Sequence, residues 1–261
     1  MMENITITDD AFSKYLYLGG VMVKNIMLQI SVFGNFKDIA PSQDNLTSLI
    51  KELNGFLPVT SKVFNVNAVS GEMESLDRIQ MNNDSTGWRI EFQIERINVV
   101  YTSAVSSSDN YNYAEVIQTG VKYLEIAINA LQLSKMYTRL AIYSQFINPI
   151  GDKKIAIPFF GKLPAYVRNY NELSEWEILM NKNGIFERNN EETTNEIITY
   201  SLKTLINDLS KYAVLVTTDI NTSQHKMTER FTIQDMTDFS SYAIMRMDTM
   251  LSNIEKDVCY E

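Results

Sequence analysis

Residues 88–101 have the sequence Trp-Arg-Ile-Glu-Phe-Gln-Ile-Glu-Arg-Ile-Asn-Val-Val-Tyr. Apolar and polar residues alternate from Trp88 to Ile94, and this period of two predicts a strand with one buried face. The alternation changes phase at Glu95-Arg96. A strand that continued through this point would turn its apolar residues to the opposite face. A tight turn or a β-bulge at Glu95-Arg96 explains such a change. We favour the turn, so the stretch predicts a hairpin of two antiparallel strands.

The flanking sequence predicts further strands and helices. Apolar residues at helical spacing follow Ser42, which predicts a helix that begins with this serine as its N-cap and ends at Gly55. Two longer helices with one apolar face are predicted, one that ends near Leu133 and one over residues 233–256. Further strands are predicted at residues 21–36, 62–70, 72–81, 137–147, 197–206 and 212–220.

The second half of the chain partly repeats the first. Trp176, like Trp88, is followed by isoleucine two and nine residues later, and Asn183-Gly184 is a strong hairpin signal. We therefore predict an α+β fold of two related halves, residues 1–136 and 137–261, each an antiparallel sheet with a long amphipathic helix packed on it. No linker rich in Gly, Ser or Pro separates the halves, so one compact unit is expected. Coincidence is the alternative to a duplication, because Trp-x-Ile is common in strands.

The composition limits the classes of partner. The net charge is −9, whereas nucleic-acid binding normally needs a basic surface, so no nucleic acid is expected as a partner. No stretch approaches the ~20 apolar residues of a membrane span, and the first residues lack the basic start and apolar core of a signal peptide. A single cysteine, Cys259, fits a reducing compartment. The sequence thus predicts a protein of the bacterial cytoplasm.

Histidine and cysteine chemistry lacks the residues that it needs. The only histidine, His225, lies in a polar stretch, which predicts a solvated loop residue rather than the base of a catalytic triad. One cysteine and one histidine cannot supply the ligands of a zinc site. We therefore predict no catalytic residue, no metal site and no cofactor.

Acidic pairs leave one enzymatic alternative open, because Mg²⁺ needs only oxygen ligands. The pair Asp235 and Asp238 is better explained by capping of the final helix, where negative charge is stabilised. Glu191-Glu192 is predicted to lie in a solvated turn. The third pair is Asp9-Asp10.

Two sets of residues are candidates for binding. Tyrosine and exposed methionine suit contact with another protein, and the predicted contacts are Tyr111, Tyr113, Tyr166, Tyr170 and Met245. Ligand pockets favour the junction of two halves, where basic side chains bind phosphate. The predicted phosphate contacts are Arg139, Lys162, Arg168 and Arg188.

Three stretches resemble a sporadically distributed, uncharacterised family of bacterial proteins of similar length. They are Arg96-Ile-Asn-Val, Arg139-Leu-Ala-Ile-Tyr-Ser-Gln-Phe-Ile-Asn148 and Thr218-Asp-Ile-Asn. In that family an acidic residue usually precedes the first arginine, and Glu95 fits this pattern. The resemblance implies a two-half α+β fold without known catalytic residues. A sporadic distribution is typical of mobile elements and of phage defence.

These observations predict a non-catalytic protein that binds another protein, as an inhibitor, immunity protein or accessory factor in phage defence or on a mobile element. The first alternative is a protein that binds or sequesters a nucleotide signal between the two halves. The second is a metal-dependent enzyme with carboxylate ligands. Assembly into a homo-oligomer is left open.

Overall fold

The structure, a computed structural model, describes residues 24–66, 73–103, 112–133, 135–151, 176–188, 192–205 and 208–258. The helices are α1 (Gln43–Glu52), α2 (Tyr113–Ala130) and α3 (Ile233–Val258). The strands are, in chain order, β1 (Lys24–Phe33), β2 (Leu57–Val66), β3 (Met73–Asn83), β4 (Trp88–Phe92), β5 (Arg96–Thr102), β6 (Arg139–Gly151), β7 (Trp176–Phe186), β8 (Glu192–Leu205) and β9 (Asp208–Thr222).

All nine strands form one antiparallel sheet in the order β2-β3-β4-β5-β1-β6-β9-β8-β7. The α+β class predicted from the sequence is confirmed. The prediction of a separate sheet in each half is wrong, because β1 and β6 pair with each other from Lys24↔Ile147 to Phe33↔Arg139. The two halves of the chain therefore meet edge to edge at the centre of one sheet.

The predicted hairpin at residues 88–101 is present. β4 and β5 pair from Trp88↔Tyr101 to Phe92↔Ile97, and the N–H of Gln93 donates to the carbonyl of Arg96 at 2.9 Å. The turn absorbs the change of phase, so the apolar residues of both strands lie on the same buried face. The residues buried on that face are Trp88, Ile90, Phe92, Ile97, Val99 and Tyr101. Asn98 and Val100 of β5 are buried as well, on the opposite face of the sheet.

The helices pack on that face of the sheet. In β1 the alternate residues Leu28, Ile30 and Val32 are buried in one core with the helices. Burying a large apolar side chain stabilises a fold by roughly 1.5–3 kcal/mol, so this layer holds the helices on the sheet. The helices contribute Leu49 from α1, Val116, Ile117, Val121, Leu124 and Ile128 from α2, and Met236, Phe239, Ala243 and Met247 from α3.

Each helix begins at a capping residue. Ser42 caps α1 as predicted, and Asn112 caps α2. At α3 the N–H of Thr232 donates to the Asp235 carboxylate at 2.7 Å, and the N–H of Asp235 donates back to the Thr232 hydroxyl at 3.3 Å. The predicted capping role of Asp235 is confirmed.

In the described part of the chain, no helix combines the length and the apolar character needed to cross a membrane.

A buried ion pair joins β8 to α3. Arg246 donates from Nε and Nη2 to the two carboxylate oxygens of Glu196, at 2.8 and 2.7 Å. The Tyr242 hydroxyl donates to the same carboxylate at 2.6 Å, and burial raises the pKa of Tyr242 to about 12, with the nearby Glu196 acting in the same direction. The Glu196 side chain is fully buried, so the bonds from α3 replace its lost hydration.

β7 continues straight through Asn183-Gly184, so the hairpin predicted there is wrong. β7 pairs with β8 from Trp176↔Leu202 to Phe186↔Glu192 without a break. Gly184 lacks a positive φ, and a Cβ at this position would clash with oxygen atoms of Thr194, Glu196 and Tyr242. The glycine is needed because these side chains approach the strand closely, and not because the chain turns.

We expect Gly184→Val to lower the free energy of unfolding by about 1–3 kcal/mol, the usual cost of overpacking. The new side chain has to displace the hydrogen-bonded Glu196 and Tyr242. Equilibrium unfolding in urea measures the effect. The control is Asn183→Val, at the exposed neighbouring position, which should change stability by less than about 0.5 kcal/mol. Equal midpoints for the two variants would contradict this account of Gly184.

Candidate functional site

The structure describes two of the four predicted phosphate contacts. Arg188 donates from Nη2 to the Asp235 carboxylate at 2.6 Å and from Nη1 to the carbonyl of Arg230 at 2.7 Å. Its guanidinium therefore ties the end of β7 to the start of α3. Arg139 lies at the start of β6 and is half-buried. Lys162 and Arg168 lie outside the described residues.

The predicted protein contacts are likewise only partly described. Tyr113 packs edge-to-face on Phe146, with ring centroids 5.8 Å apart, and its hydroxyl donates to Asp248 of α3. Burial, together with Asp248, raises the pKa of Tyr113 far above its usual value. Tyr113 therefore links α2 to α3. Met245 of α3 is 54% exposed. Tyr111, Tyr166 and Tyr170 lie outside the described residues.

One acidic prediction is wrong. Glu192 is buried at the start of β8, where Arg230 Nε lies 3.1 Å and Lys226 Nζ 3.2 Å from its carboxylate. The sequence predicts a solvated turn at this position, but the loop after β9 places Lys226 and Arg230 against the Glu192 carboxylate. His225 is exposed in that same loop, as expected. Among the described residues, no three His, Cys, Asp or Glu side chains are grouped to hold a metal ion.

No described helix packs on the face of the sheet opposite the three helices, and we call it the open face. It carries mainly polar residues, although Ser31, Asn98 and Val100 on it are buried. At one end of the three central strands, Phe33, the last residue of β1, pairs with Arg96 of β5 on one side and with Arg139 of β6 on the other. The Cζ atoms of Arg96 and Arg139 lie 6.0 and 4.7 Å from the centroid of the Phe33 ring. These three residues form the arginine row.

The polar residues beside the arginine row satisfy one another. The Ser31 hydroxyl donates to the Asn98 side chain at 2.8 Å, and Asn98 Nδ2 donates to Glu91 at 3.1 Å. Arg89 Nε donates to the other oxygen of Glu91 at 2.6 Å. Buried polar groups cost little when they are hydrogen-bonded, so this part of the open face needs no external ligand.

Arg139 differs from these polar residues in its hydrogen bonding. Among the described residues, no group accepts a hydrogen bond from its guanidinium, and its Nε is buried. Burial lowers the pKa of Arg139, with Arg96 acting in the same direction and Asp219 opposing it. Burial also raises the pKa of the Asp219 carboxyl, although Asn221 donates to it at 3.0 Å. The open face thus holds a half-buried cation whose hydrogen-bond donors have no acceptor among the described residues.

The three stretches that carry the family resemblance meet on this open face. They supply Arg96 from β5, Arg139 and Tyr143 from β6, and Asp219 from β9. The sequence singled out Arg139 as a phosphate contact but missed Phe33. The signal for Phe33 is weak, because its partners lie on strands far away in the chain.

The hairpin of β2 and β3 extends beyond the rest of the sheet. β4 pairs with β3 only from Asn83 to Gln80, whereas β2 pairs with β3 as far as Val66↔Met73. Residues 60–66 and 73–79 therefore form a two-stranded ribbon, which we call the arm. No other strand in the described part of the sheet flanks it.

Large apolar side chains of β2 and the arm are exposed. Leu57 is 71% exposed, Phe64 61% and Met73 66%. The register places Phe64 opposite Ser75 and Val66 opposite Met73, so Phe64 and Met73 are diagonal neighbours on one face. β2 is an edge strand of the described sheet. An exposed apolar edge is a surface on which another chain can pair.

Arg78 fixes the base of the arm. It is only 2% exposed and donates to the carbonyls of Phe92 at 2.8 Å, Phe36 at 2.7 Å and Gln93 at 2.8 Å, with a longer bond to Lys37 at 3.3 Å. Burial lowers the pKa of this arginine. The backbone carbonyls replace the water that the cation loses, and they lock β3 to the turn between β4 and β5.

The described chain is therefore an α+β protein with two distinct surfaces, an apolar arm and a polar open face. Comparisons with protein-family models, with curated proteins and with solved structures found no match to this chain. The family resemblance stays a prediction, and any function has to be argued from these two surfaces.

Proposed function

We propose that this chain is a non-catalytic protein-binding protein and that its arm binds the partner. The observation that supports this is the exposure of Leu57, Phe64 and Met73 on and beside an edge strand. Natural edge strands are usually shielded by charge, short length or bulges. β2 is ten residues long and pairs with β3 without a register shift. Pro58 and Lys62 are residues of the kind that shield natural edges, but the length of β2 and its exposed apolar side chains still leave it able to pair with a partner.

The mode that fits this edge is strand addition. An extended segment of the partner pairs with the backbone of β2, and its side chains contact the apolar side chains of the arm. Pro58 has no N–H, so pairing is expected along residues 59–66, which include Phe64. Backbone hydrogen bonds supply affinity, and the contacts of Phe64 and Met73 supply specificity.

The partner that we propose is a cationic protein of the bacterial cytoplasm. A net charge of −9 steers positively charged proteins towards this chain. The single cysteine suits a reducing compartment, and the shortage of histidine and cysteine suits an inhibitor, immunity protein or accessory factor rather than an enzyme. The resemblance to a sporadic family favours a role in phage defence or on a mobile element.

We also propose that the two halves are related by duplication. Outward from the centre, the strand order is β1, β5, β4, β3 on one side and β6, β9, β8, β7 on the other. In each half the innermost strand comes first in the chain, and a long helix follows the last strand. In this correspondence Trp88 on β4 and Trp176 on β7 are not equivalent, so the tryptophan match does not support it.

Phe64→Asp is expected to reduce recovery of the partner about tenfold or more, the range seen for a central interface residue. The measurement is affinity capture of the tagged protein from its own bacterial host, with the captured proteins quantified by mass spectrometry. Phe64 is exposed, so the variant should fold normally. The control is Met227→Asp, at an exposed position in the loop before α3.

Two results would contradict the proposal. Failure of the wild-type protein to recover any stoichiometric partner would argue against a protein-binding function. Equal recovery by wild type and Phe64→Asp would place the interface elsewhere, and Met245→Asp then tests the exposed side of α3.

A further inference from the structure

We infer that the arginine row (Arg96, Phe33 and Arg139) binds a phosphate-bearing small molecule on the open face. This inference does not depend on the arm, which belongs to the edge of the sheet formed by β2 and β3, whereas the arginine row lies on β5, β1 and β6.

The two arginines have hydrogen-bond donors without acceptors among the described residues. Among the described residues, nothing accepts a hydrogen bond from Arg139, and Arg96 donates only from Nε, to Gln93 at 2.8 Å. A guanidinium presents its N–H groups as a planar fork that matches two oxygens of a phosphate. Both arginines thus retain donors of the kind that bind phosphate.

The spacing of the two arginines suits a single ligand. They flank Phe33 on neighbouring strands, so their backbones are about 10 Å apart across the sheet. Both guanidinium groups lie within 6.0 Å of the same ring centroid, so both cations lie beside one aromatic ring. The ring attracts both cations and orients them. One ligand with two linked phosphate groups can therefore contact both.

The charged groups around Phe33 also favour an anion at this position. Arg96 and Arg139 repel each other, and Arg139 is half-buried, so its charge is only partly hydrated. Asp219 attracts Arg139 but forms no ion pair with it in the described structure. An anion between the two arginines would relieve their repulsion. Asp219 would repel that anion, which places the ligand over Phe33 rather than towards β9.

Arg89 provides an internal comparison on the same face. Its guanidinium is bound to Glu91 at 2.6 Å, and the side chain is 39% exposed. It has the same chemistry as Arg139 but already has an anionic partner. A ligand attracted only by positive charge would depend on Arg89 as well as on Arg139, whereas a ligand of the arginine row depends on Arg139 and not on Arg89.

Isothermal titration calorimetry with inorganic pyrophosphate tests the inference, with the ionic strength held constant by sodium chloride. We expect saturable binding at one site. Arg139→Gln and Arg96→Gln should each raise the Kd for pyrophosphate by at least about tenfold, because each removes hydrogen bonds to a charged group. Arg89→Gln should leave the Kd within about twofold. The arm variant Phe64→Asp should bind pyrophosphate as the wild type does.

Absence of saturable binding by the wild type would overturn the inference, as would an unchanged Kd in Arg139→Gln. If Arg139→Gln fails to fold, Arg139→Lys and Arg96→Gln decide. Arg139→Lys keeps the positive charge but loses the planar set of N–H donors, so it should bind pyrophosphate more weakly than the wild type. A short single-stranded oligonucleotide should not bind, because the net charge of −9 repels it. Tighter binding of the oligonucleotide than of pyrophosphate would overturn the assignment to a small molecule.

Discussion

Replacing Arg78 by methionine is expected to lower the free energy of unfolding by about 3–5 kcal/mol. Methionine fills part of the space but donates no hydrogen bond. The carbonyls of Phe36, Phe92 and Gln93 would then lose a charged donor at the base of the arm. Urea unfolding followed by circular dichroism measures the change in the midpoint and in the free energy.

Arg89→Met is the matched control for Arg78. Arg89 lies one strand away, on β4, and its partner is the single carboxylate of Glu91 near the surface. Such ion pairs contribute about 1 kcal/mol or less. Arg78→Met and Arg89→Met should therefore differ by at least about 2 kcal/mol. A loss below about 1 kcal/mol in Arg78→Met would show that water satisfies the exposed carbonyls.

Glu196→Ala should be destabilising by about 3–5 kcal/mol, as expected when one partner of a buried ion pair is removed. The variant leaves Arg246 without its carboxylate and removes the acceptor of Tyr242. Urea unfolding again measures the loss. Arg246→Ala combined with Glu196→Ala should cost less than the sum of the single changes, because both remove the same interaction.

The surface pair of Lys135 and Asp38 is the control for Glu196. Their nitrogen and oxygen atoms are 2.8 Å apart, but the side chains are 36% and 64% exposed. Lys135→Ala should cost no more than about 1 kcal/mol. A similar loss in Lys135→Ala and Glu196→Ala would mean that burial of the Glu196 pair adds nothing to stability.

Local patterns of the sequence predicted the local elements well. The phase change at Glu95-Arg96 predicted the hairpin of β4 and β5, and Ser42 predicted the start of α1. Both signals depend on residues that are near each other in the chain. Period-two alternation and capping act within a few residues, which is why they can be recognised without a structure.

Features that depend on distant residues could not be predicted. Glu192 is buried because Arg230, 38 residues later, folds onto it. The pair Asn183-Gly184 predicts a turn, whereas in the fold Gly184 makes room for the side chains of Glu196 and Tyr242. The arginine row likewise depends on the register of three strands. The sequence predicts Arg139 as a phosphate contact, but it could not predict that Phe33 and Arg96 lie beside it.

The pairing of β1 with β6 also has a consequence for how the chain acquires its structure. More than a hundred positions separate Phe33 from its opposite residue Arg139. Contacts between such remote segments slow the search for the native state. During translation, β1 leaves the ribosome long before β6 exists. The side of β1 that later pairs with β6 stays unpaired for that interval, and unpaired strand edges of this kind are where a partly synthesised chain is prone to aggregate.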